Sequence, residues 1–293
     1  MEASALSKKD FQSELKPIWC PGCGDFGVVS SFYQAFANFG TPPHEVAFLS
    51  GIGCSSRIPG YTTAYGFNSV HGRSLPMAIG VKIANPKLTV VAAGGDGDGF
   101  SIGGGHVPHA VRRNVDITYV VMDNQIYGLT KGQASPTTDT DTVTVTTPYG
   151  LVESPIRPVV QVLAYGAGFV AQGSSSDLKT LAKLIEEGMR YKGFAFINVQ
   201  SPCVTYGEEH NQVKSLRERV VSLDAIGHDP SNKMEAYRLA EEQNGKIYQG
   251  VFYRAERLPQ MEYAELHAKR AEAAQQTGTY PVEKIFERNF LVS

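Results

Sequence analysis

The sequence has little of what marks secreted, membrane or nucleic-acid-binding proteins. It contains only 4 cysteines among 293 residues, and a chain of this length can build a core without disulfides. The first ten residues lack an apolar signal core, and no apolar stretch is long enough to span a bilayer. A net charge of −2 with no long basic run argues against nucleic acid or an anionic membrane as partner. We therefore expect a cytoplasmic protein with reduced thiols.

Short β-branched apolar runs alternate with helical patterns over the first two thirds of the chain. Residues 88–93 and 117–122 have the composition of buried parallel strands, and between them Ser101 could cap a helix that runs to Arg113. Further strands are predicted at 46–49, 169–171 and 194–199, and helices at 26–39, 77–84, 156–165 and 176–191. This alternation predicts a doubly wound, mainly parallel α/β sheet with helices on both faces.

The sequence changes character after about Gly207. Charge becomes dense, no further buried strand is predicted, and surface helices are expected at 231–243 and 259–276. We interpret residues 1–206 as the α/β domain and residues 207–293 as a mostly helical or irregular extension, which packs on that domain or on a partner and ends in an apolar segment suited to docking. The threonine-rich stretch up to Gly150 is expected at the surface or against a partner.

Oxygen-bearing groups follow both strands of the 88–122 unit. Asp96 lies in a Gly-Asp-Gly turn and Asn124 follows the next strand, and open α/β sheets bind ligands at this edge. With the Ile126 carbonyl, these oxygens suit Mg²⁺, which combines few protein ligands with phosphate oxygens and water. The glycines would let backbone N–H groups approach a diphosphate. A lone Gly-Asp-Gly indicates only a turn, but with Asn124 at this distance it resembles the thiamine diphosphate motif.

All four cysteines lie in loops rich in glycine, proline or serine. Cys20 and Cys23 form a C-x-x-C pair, whereas Cys54 and Cys203 follow predicted strands at the edge that holds Asp96. Four interpretations compete: unrelated buried thiols, a redox pair, a structural zinc site and a [4Fe–4S] cluster. Spacing alone does not separate zinc from a cluster, although beside a thiamine site an electron acceptor makes more chemical sense.

Several segments together resemble the β subunit of 2-oxoacid:ferredoxin oxidoreductases. They are WCPGCG (19–24), GIGCSS (51–56), HGR (71–73), GDGDG (95–99), MDNQIYGLTKGQ (122–133) and SPC (201–203). The resemblance covers residues of about 17 to 207 and implies the thiamine diphosphate-binding fold. It implies one [4Fe–4S] cluster on Cys20, Cys23, Cys54 and Cys203, and Mg²⁺ on Asp96, Asn124 and the Ile126 carbonyl. It also implies thiamine diphosphate contacts from Ile52, Gly53, Cys54, Ser55, His71, Gly95, Gly97, Asp98, Gly128, Leu129 and Thr130.

The resemblance further implies a reversible, CoA-dependent oxidative decarboxylation of a 2-oxoacid that reduces ferredoxin. One cluster accepts one electron at a time, so an external one-electron carrier is needed. Thiamine normally requires a glutamate on a second domain, which this chain lacks. We therefore expect an α subunit to supply that glutamate and most CoA contacts in an (αβ)₂ assembly, and we expect this chain alone to be inactive. The absence of extra ferredoxin-like cysteines favours the smaller, two-subunit type.

Arg57 and Lys131 are the candidate substrate-binding residues, and His71 is a further catalytic candidate. Each cation lies a few residues from a predicted cofactor loop and could pair with a carboxylate, although single basic residues are more often solvated. Two cations suit a dicarboxylate, so 2-oxoglutarate, giving succinyl-CoA, is favoured over pyruvate or a broad substrate range. The alternatives are a non-redox thiamine-dependent decarboxylase or ligase, and a non-catalytic electron-transfer or scaffold subunit.

Overall fold

The computed structural model describes residues 6–207 and 212–261, together with residues 264, 265, 268, 269 and 272. The strands are β1 (Val46–Ser50), β2 (Tyr65–Asn68), β3 (Thr89–Gly95), β4 (Ile117–Asp123), β5 (Ile126–Tyr127), β6 (Gln133–Ala134), β7 (Phe169–Ser174), β8 (Phe194–Gln200), β9 (Val220–Ser222) and β10 (Ile247–Arg254). The helices are α1 (Asp25–Phe39), α2 (Ser74–Ala84), α3 (Val107–Arg113), α4 (Pro158–Tyr165), α5 (Leu178–Arg190), α6 (Val213–Arg219) and α7 (Lys233–Glu241). Among these described helices, none is both long and apolar enough to cross a membrane.

Eight strands form one sheet in the order β2-β1-β3-β4-β8-β7-β10-β9. All neighbouring pairs are parallel except β7 and β10, which are antiparallel. The chain leaves β1 towards β2 at the edge and then returns past β1 to β3, so a crevice opens beyond the carboxyl ends of β1 and β3. Open α/β sheets bind ligands at such a reversal.

Apolar side chains cover both faces of the sheet. On one face, α1 and α5 bury residues such as Phe32, Phe36 and Ile185 against the sheet, while Leu163 of α4 and Leu239 of α7 belong to the core on the other face. Central strand β4 is buried along its whole length, as expected for a strand covered on both sides. The predicted doubly wound α/β fold is confirmed.

The helix for which Ser101 was the candidate cap starts later. Residues 98–102 form a short π-type turn that breaks at Ser101, where φ is −90° and ψ is −106°, and α3 begins at Val107. Three successive glycines, 103–105, follow this break, and glycine disfavours helix continuation because it loses the most backbone entropy. The structure also contains β2, which was not predicted because it is only four residues long and lies exposed at the edge of the sheet.

The expectation of no further buried strand after Gly207 was wrong. Strand β10 is largely buried and pairs with β7, so the described part of the extension adds to the main sheet. Its apolar pattern is interrupted by Gln249 and by Gly250 at φ 140°. The strand is therefore not recognised when continuous apolar runs are used to predict buried strands. Helix α7 matches the helix predicted at 231–243. The helix predicted at 259–276 and the apolar C-terminal end fall mainly outside the described residues, and the boundary at 206/207 stays a prediction.

Candidate active site

A cavity of about 500 Å³ opens at the carboxyl ends of β1, β3 and β4. It is lined by every residue predicted to contact thiamine diphosphate or Mg²⁺: Ile52, Gly53, Cys54, Ser55, His71, Gly95, Asp96, Gly97, Asp98, Asn124, Ile126, Gly128, Leu129 and Thr130. We call this space the diphosphate cavity. The structure thus brings together residues from four separate segments of the chain, while the individual role of each residue remains a prediction.

Asp98 joins three loops around the diphosphate cavity. Its Oδ1 accepts hydrogen bonds from the backbone N–H groups of Ile52 (2.8 Å) and Gly72 (2.7 Å), and it lies 3.1 Å from His71 Nδ1. Burial raises the pKa of Asp98, and these bonds, with His71, work against that rise. A Cβ at Gly51 would overlap both carboxylate oxygens, so glycine is required there. The carboxylate of Asp98 therefore holds the cavity loops in place.

Asp96 is buried beneath the same cavity, with 2% of its surface exposed. Its Oδ2 accepts a hydrogen bond from Thr137 Oγ1 at 2.7 Å, and the same hydroxyl lies 2.9 Å from Asp123 Oδ1. Burial raises the pKa of Asp96, while hydrogen bonds from Ser135 and Thr137 lower it. Burial and the nearby charge of Asp96 also raise the pKa of Asp123. Two buried carboxyl groups this close favour a cation at the site, because a cation stabilises their ionised forms.

Asn124 and Ile126 lie on a tight turn after β4. Asn124 Oδ1 accepts the backbone N–H of Ile126 at 3.0 Å, and Gln125 between them has φ 60°. Asparagine favours such turns because its short amide bonds to its own backbone two residues on. The turn places both predicted ligands against the wall of the diphosphate cavity that also holds Asp96.

The four cysteines line a second cavity, of about 260 Å³, which we call the cysteine cavity. Cys54 and Gly128 belong to both cavities. A Cβ at Gly128 would lie 3.4 Å from Cys203 Sγ and 3.9 Å from Cys54 Sγ, so Gly128 lies beside both sulfurs. Cys20 is exposed, and the other three cysteines are half-buried. The predicted convergence of the Cys20–Cys23 turn with Cys54 and Cys203 is therefore present in the fold.

Hydrogen bonds to main-chain carbonyls hold these loops together. The N–H of Gly24 donates to the carbonyl of Pro202 at 3.1 Å, which links the C-x-x-C turn to the loop of Cys203. The Trp19 indole N–H donates to the Cys54 carbonyl at 2.7 Å. Because both bonds use main-chain carbonyls, they set the position of the cysteine loops without occupying a sulfur atom.

Burial strongly raises the pKa values of two of the four thiols. It raises the pKa of Cys54 to about 11, helped by the charges of Asp25 and Cys203, and raises that of Cys23 further, also helped by Asp25. A bound metal would reverse this, since a coordinating thiol is deprotonated. Among the described residues, no three His, Cys, Asp or Glu side chains have the spacing that a single metal ion requires. A four-iron cluster needs a wider spacing, because each iron takes one thiolate.

The predicted substrate residues lie on the cysteine side of the site. Arg57 and Lys131 line the cysteine cavity, and Arg57 is close enough to Cys54 to lower its pKa. Lys131 is exposed, with φ 77°. Leu129 lines both cavities, so the two cations lie near the junction between the predicted cofactor site and the cysteines. His71 lies apart from them, on the wall of the diphosphate cavity.

Two contributors to the site were not predicted from the sequence. The Tyr127 hydroxyl donates to the Gly97 carbonyl at 3.2 Å, and a Cβ at Gly97 would overlap the Tyr127 ring. Thr137 belongs to the threonine-rich stretch expected at the surface, yet it is only 2% exposed. That expectation was wrong for the start of the stretch. The low apolar content of the stretch suggested exposure. The hydroxyls can nevertheless be buried here, because they bond to carboxylates and carbonyls.

Comparison with known proteins agrees with this arrangement. Residues 51–199 match the family "Thiamine pyrophosphate enzyme, C-terminal TPP binding domain", and residues 203–269 match the family of the C-terminal part of the pyruvate ferredoxin oxidoreductase beta chain. The chain is 45% identical over 215 residues to the 2-oxoacid:ferredoxin oxidoreductase subunit beta of Saccharolobus solfataricus, covering 73% of this chain and 69% of that protein. The chain belongs to the β subunits of 2-oxoacid:ferredoxin oxidoreductases.

Other members of the family extend the similarity. The 2-oxoglutarate synthase subunit KorB of Methanocaldococcus jannaschii is 38% identical, with 87% of this chain and 93% of that one covered. The 2-oxoglutarate:ferredoxin oxidoreductase from Magnetococcus marinus, solved with 2-oxoglutarate, coenzyme A and succinyl-CoA bound, superposes with a TM-score of 0.87 at 40% identity, covering 98% and 97% of the two chains. The predicted family, fold class and oxidoreductase activity are confirmed, and the name β subunit implies an α-subunit partner.

Proposed function

We propose that this β subunit works in a cytoplasmic complex that converts 2-oxoglutarate, CoA and oxidised ferredoxin to succinyl-CoA, CO₂ and reduced ferredoxin, reversibly. The observation that carries the proposal is the shared wall of the two cavities. Cys54 and Gly128 belong both to the diphosphate cavity and to the cysteine cavity. Electrons released at the first cavity would therefore have a very short path to an acceptor in the second.

The residues of the diphosphate cavity fit Mg²⁺ and thiamine diphosphate. Asp96, Asn124 and the Ile126 carbonyl would hold the metal, since they offer the oxygen donors that Mg²⁺ prefers. Burial raises the pKa of Asp96, and a cation beside it would restore the ionised form. When bound, thiamine diphosphate supplies the means to stabilise the carbanion left after loss of CO₂. The chain contributes binding, orientation and exclusion of water around that centre.

The cysteine cavity fits one [4Fe–4S] cluster. Cys20, Cys23, Cys54 and Cys203 would each bind one iron. Cys20 is the exposed member of the set, so ferredoxin could approach a cluster from that side. Because a single cluster carries one electron at a time, the two electrons of each turnover would leave in two steps.

The α subunit would complete the catalytic site. None of the described residues that line the diphosphate cavity is a glutamate, so the glutamate that activates thiamine would come from the α subunit, together with most CoA contacts, in an (αβ)₂ assembly. Arg57 and Lys131 would bind the substrate carboxylates, since both line the cavity that adjoins the cofactor. Their two positive charges favour a dicarboxylate over pyruvate.

One experiment tests the reaction class. The chain is purified without oxygen, alone and with its α subunit, and its visible spectrum, iron and sulfide are measured beside CoA-dependent reduction of ferredoxin. We expect about four irons per β subunit and turnover only when the α subunit is present. Zinc in place of iron, or decarboxylation without electron transfer, would indicate the non-redox alternative.

A second experiment tests the substrate. Replacing Arg57 by alanine should raise KM for 2-oxoglutarate more than KM for pyruvate. Only 2-oxoglutarate has a second carboxylate, and that group would lose its positively charged partner. Lys192, an exposed cation that lies 3.8 Å from Asp116 and lines neither cavity, provides the matched control in Lys192→Ala. Equal changes in KM for both acids would contradict the assignment to 2-oxoglutarate.

A further inference from the structure

The turn formed by residues 135–138 lies beneath the predicted metal site. It bonds to both loops that carry the predicted metal ligands. Thr137 Oγ1 donates towards Asp96 at 2.7 Å, while Thr138 Oγ1 donates to the Gln125 carbonyl at 2.5 Å. Gln125 in turn donates its side-chain N–H to the Thr137 carbonyl at 3.1 Å. Asp96 follows β3 and Gln125 follows β4, so this turn connects the two loops that carry the predicted Mg²⁺ ligands.

Thr137 is built into the protein interior. It is 2% exposed, as are Asp96 and Thr138, and Ser135 is 5% exposed. The Thr137 hydroxyl also lies 2.9 Å from Asp123 Oδ1. A hydroxyl has one proton to donate and two lone pairs with which to accept, so it can hold two neighbouring carboxyl groups in fixed positions. Removing it would leave buried carboxyl oxygens without this partner, which is costly in a dry interior.

From this geometry we propose that Thr137 is a positioning residue that orients the Asp96 carboxylate for Mg²⁺ binding. The inference rests on the proposed function, because it assumes that Asp96 is a metal ligand. A ligating carboxylate is itself usually hydrogen-bonded, and loss of such a partner typically weakens metal affinity by about 10–100-fold. Thr137 does not touch the metal or the substrate in this role. It limits the rotamers of Asp96, so less order has to be imposed when the metal binds.

The test measures Mg²⁺ binding in the full-length β subunit purified with its α subunit. Mg²⁺ is titrated at saturating thiamine diphosphate, and its half-saturation point is taken from the rise in thermal stability. For Thr137→Val, which keeps the shape and removes the hydroxyl, we expect a shift of about 10–100-fold to higher Mg²⁺. Activity should recover at high Mg²⁺ with kcat near that of the wild type. Thr137→Ser keeps the hydroxyl and should behave like the wild type.

The matched control is Thr144→Val, in the same threonine-rich stretch. Thr144 is 9% exposed, and its hydroxyl lies 2.7 Å from that of Thr147 and 3.4 Å from that of Thr146. Its loss should leave the Mg²⁺ half-saturation point unchanged. The visible absorption of the cluster reports whether each variant is folded, and Thr137→Ala replaces the valine variant if that one is not.

The possible outcomes separate this inference from the proposed function. An unchanged half-saturation point in folded Thr137→Val or Thr137→Ala would overturn the inference alone. Equal weakening of Mg²⁺ binding in Thr137→Ser and Thr137→Val would also overturn it. The loss of affinity would then come from altered packing and not from loss of the hydroxyl. If the wild-type complex shows no response to Mg²⁺ with thiamine diphosphate, the proposed function fails, and the inference fails with it.

Discussion

The two adjoining cavities differ in how their functional groups are held. In the diphosphate cavity, the side chains themselves are fixed: Asp98 accepts two backbone hydrogen bonds, and Asp96 accepts one from Thr137. In the cysteine cavity, the bonds from Gly24 to Pro202 and from Trp19 to Cys54 end on main-chain carbonyls, and Ser201 bonds to Asp25 and not to a cysteine. The diphosphate cavity therefore has its polar side chains oriented in advance, whereas in the cysteine cavity these bonds position the loops, and a bound group would order the sulfurs.

This difference between the cavities should also affect the stability of their loops. Burial raises the pKa values of Cys23 and Cys54, so the thiolate forms are unfavourable until a cluster compensates them. Structural metal groups contribute folding free energy because the unfolded chain rarely offers a preformed site. We expect loss of the cluster to destabilise the surrounding loops, whereas removal of thiamine diphosphate and Mg²⁺ should leave the diphosphate cavity largely intact.

The largest effect is expected from Cys203→Ser. Serine is a poor replacement for a thiolate ligand of iron, so the variant should lose most of its visible absorption and its ferredoxin reduction. Mg²⁺-dependent binding of thiamine diphosphate should persist, because Cys203 does not line the diphosphate cavity. Visible spectra and calorimetric titration with thiamine diphosphate measure the two properties separately. Retention of a full cluster would show that Cys203 is not a ligand.

Asp98→Ala should affect the diphosphate cavity. It leaves the N–H groups of Ile52 and Gly72 without their acceptor, and each buried unsatisfied group costs about 1–3 kcal/mol. We expect lower thermal stability and weaker binding of thiamine diphosphate, with the cluster spectrum preserved. Asp98→Asn keeps an acceptor oxygen and serves as the control, with a smaller loss. If the alanine variant bound thiamine diphosphate like the wild type, Asp98 would not organise the cavity.

The sequence predicted some of the residues that build the two cavities and missed others. Cys54, Cys203, Asp96 and Asn124 were found because strand ends share one edge of a parallel sheet, so short motifs far apart in sequence predict one site. Thr137 and Tyr127 were missed, since their contacts depend on how a loop folds back under the sheet. Strand β10 was missed because Gln249, a buried polar residue, interrupts it. Its side chain bonds to Asp177 at 2.8 Å, a long-range partner that sequence periodicity does not reveal.

The smallest effect is expected from Asp25→Asn, which tests the electrostatic cost of the cysteine cavity. Burial raises the pKa of Asp25 to about 6, and a hydrogen bond from Ser201 opposes this. In the unfolded chain the pKa of an aspartate is about 3.9. Between these values the folded state binds more protons than the unfolded state, so its stability falls as pH rises.

The measurement is urea unfolding of the reduced, iron-free chain between pH 4 and pH 7.5. Wild type should lose on the order of 3 kcal/mol more stability over this range than Asp25→Asn, whose amide does not ionise. The loss should be complete once the pH exceeds the folded pKa. Asp10→Asn, at an exposed aspartate whose pKa is lowered by hydrogen bonds from Ser7, should not flatten the profile. Parallel profiles for wild type and Asp25→Asn would mean that Asp25 stays ionised, and that the cysteine cavity tolerates negative charge without a cluster.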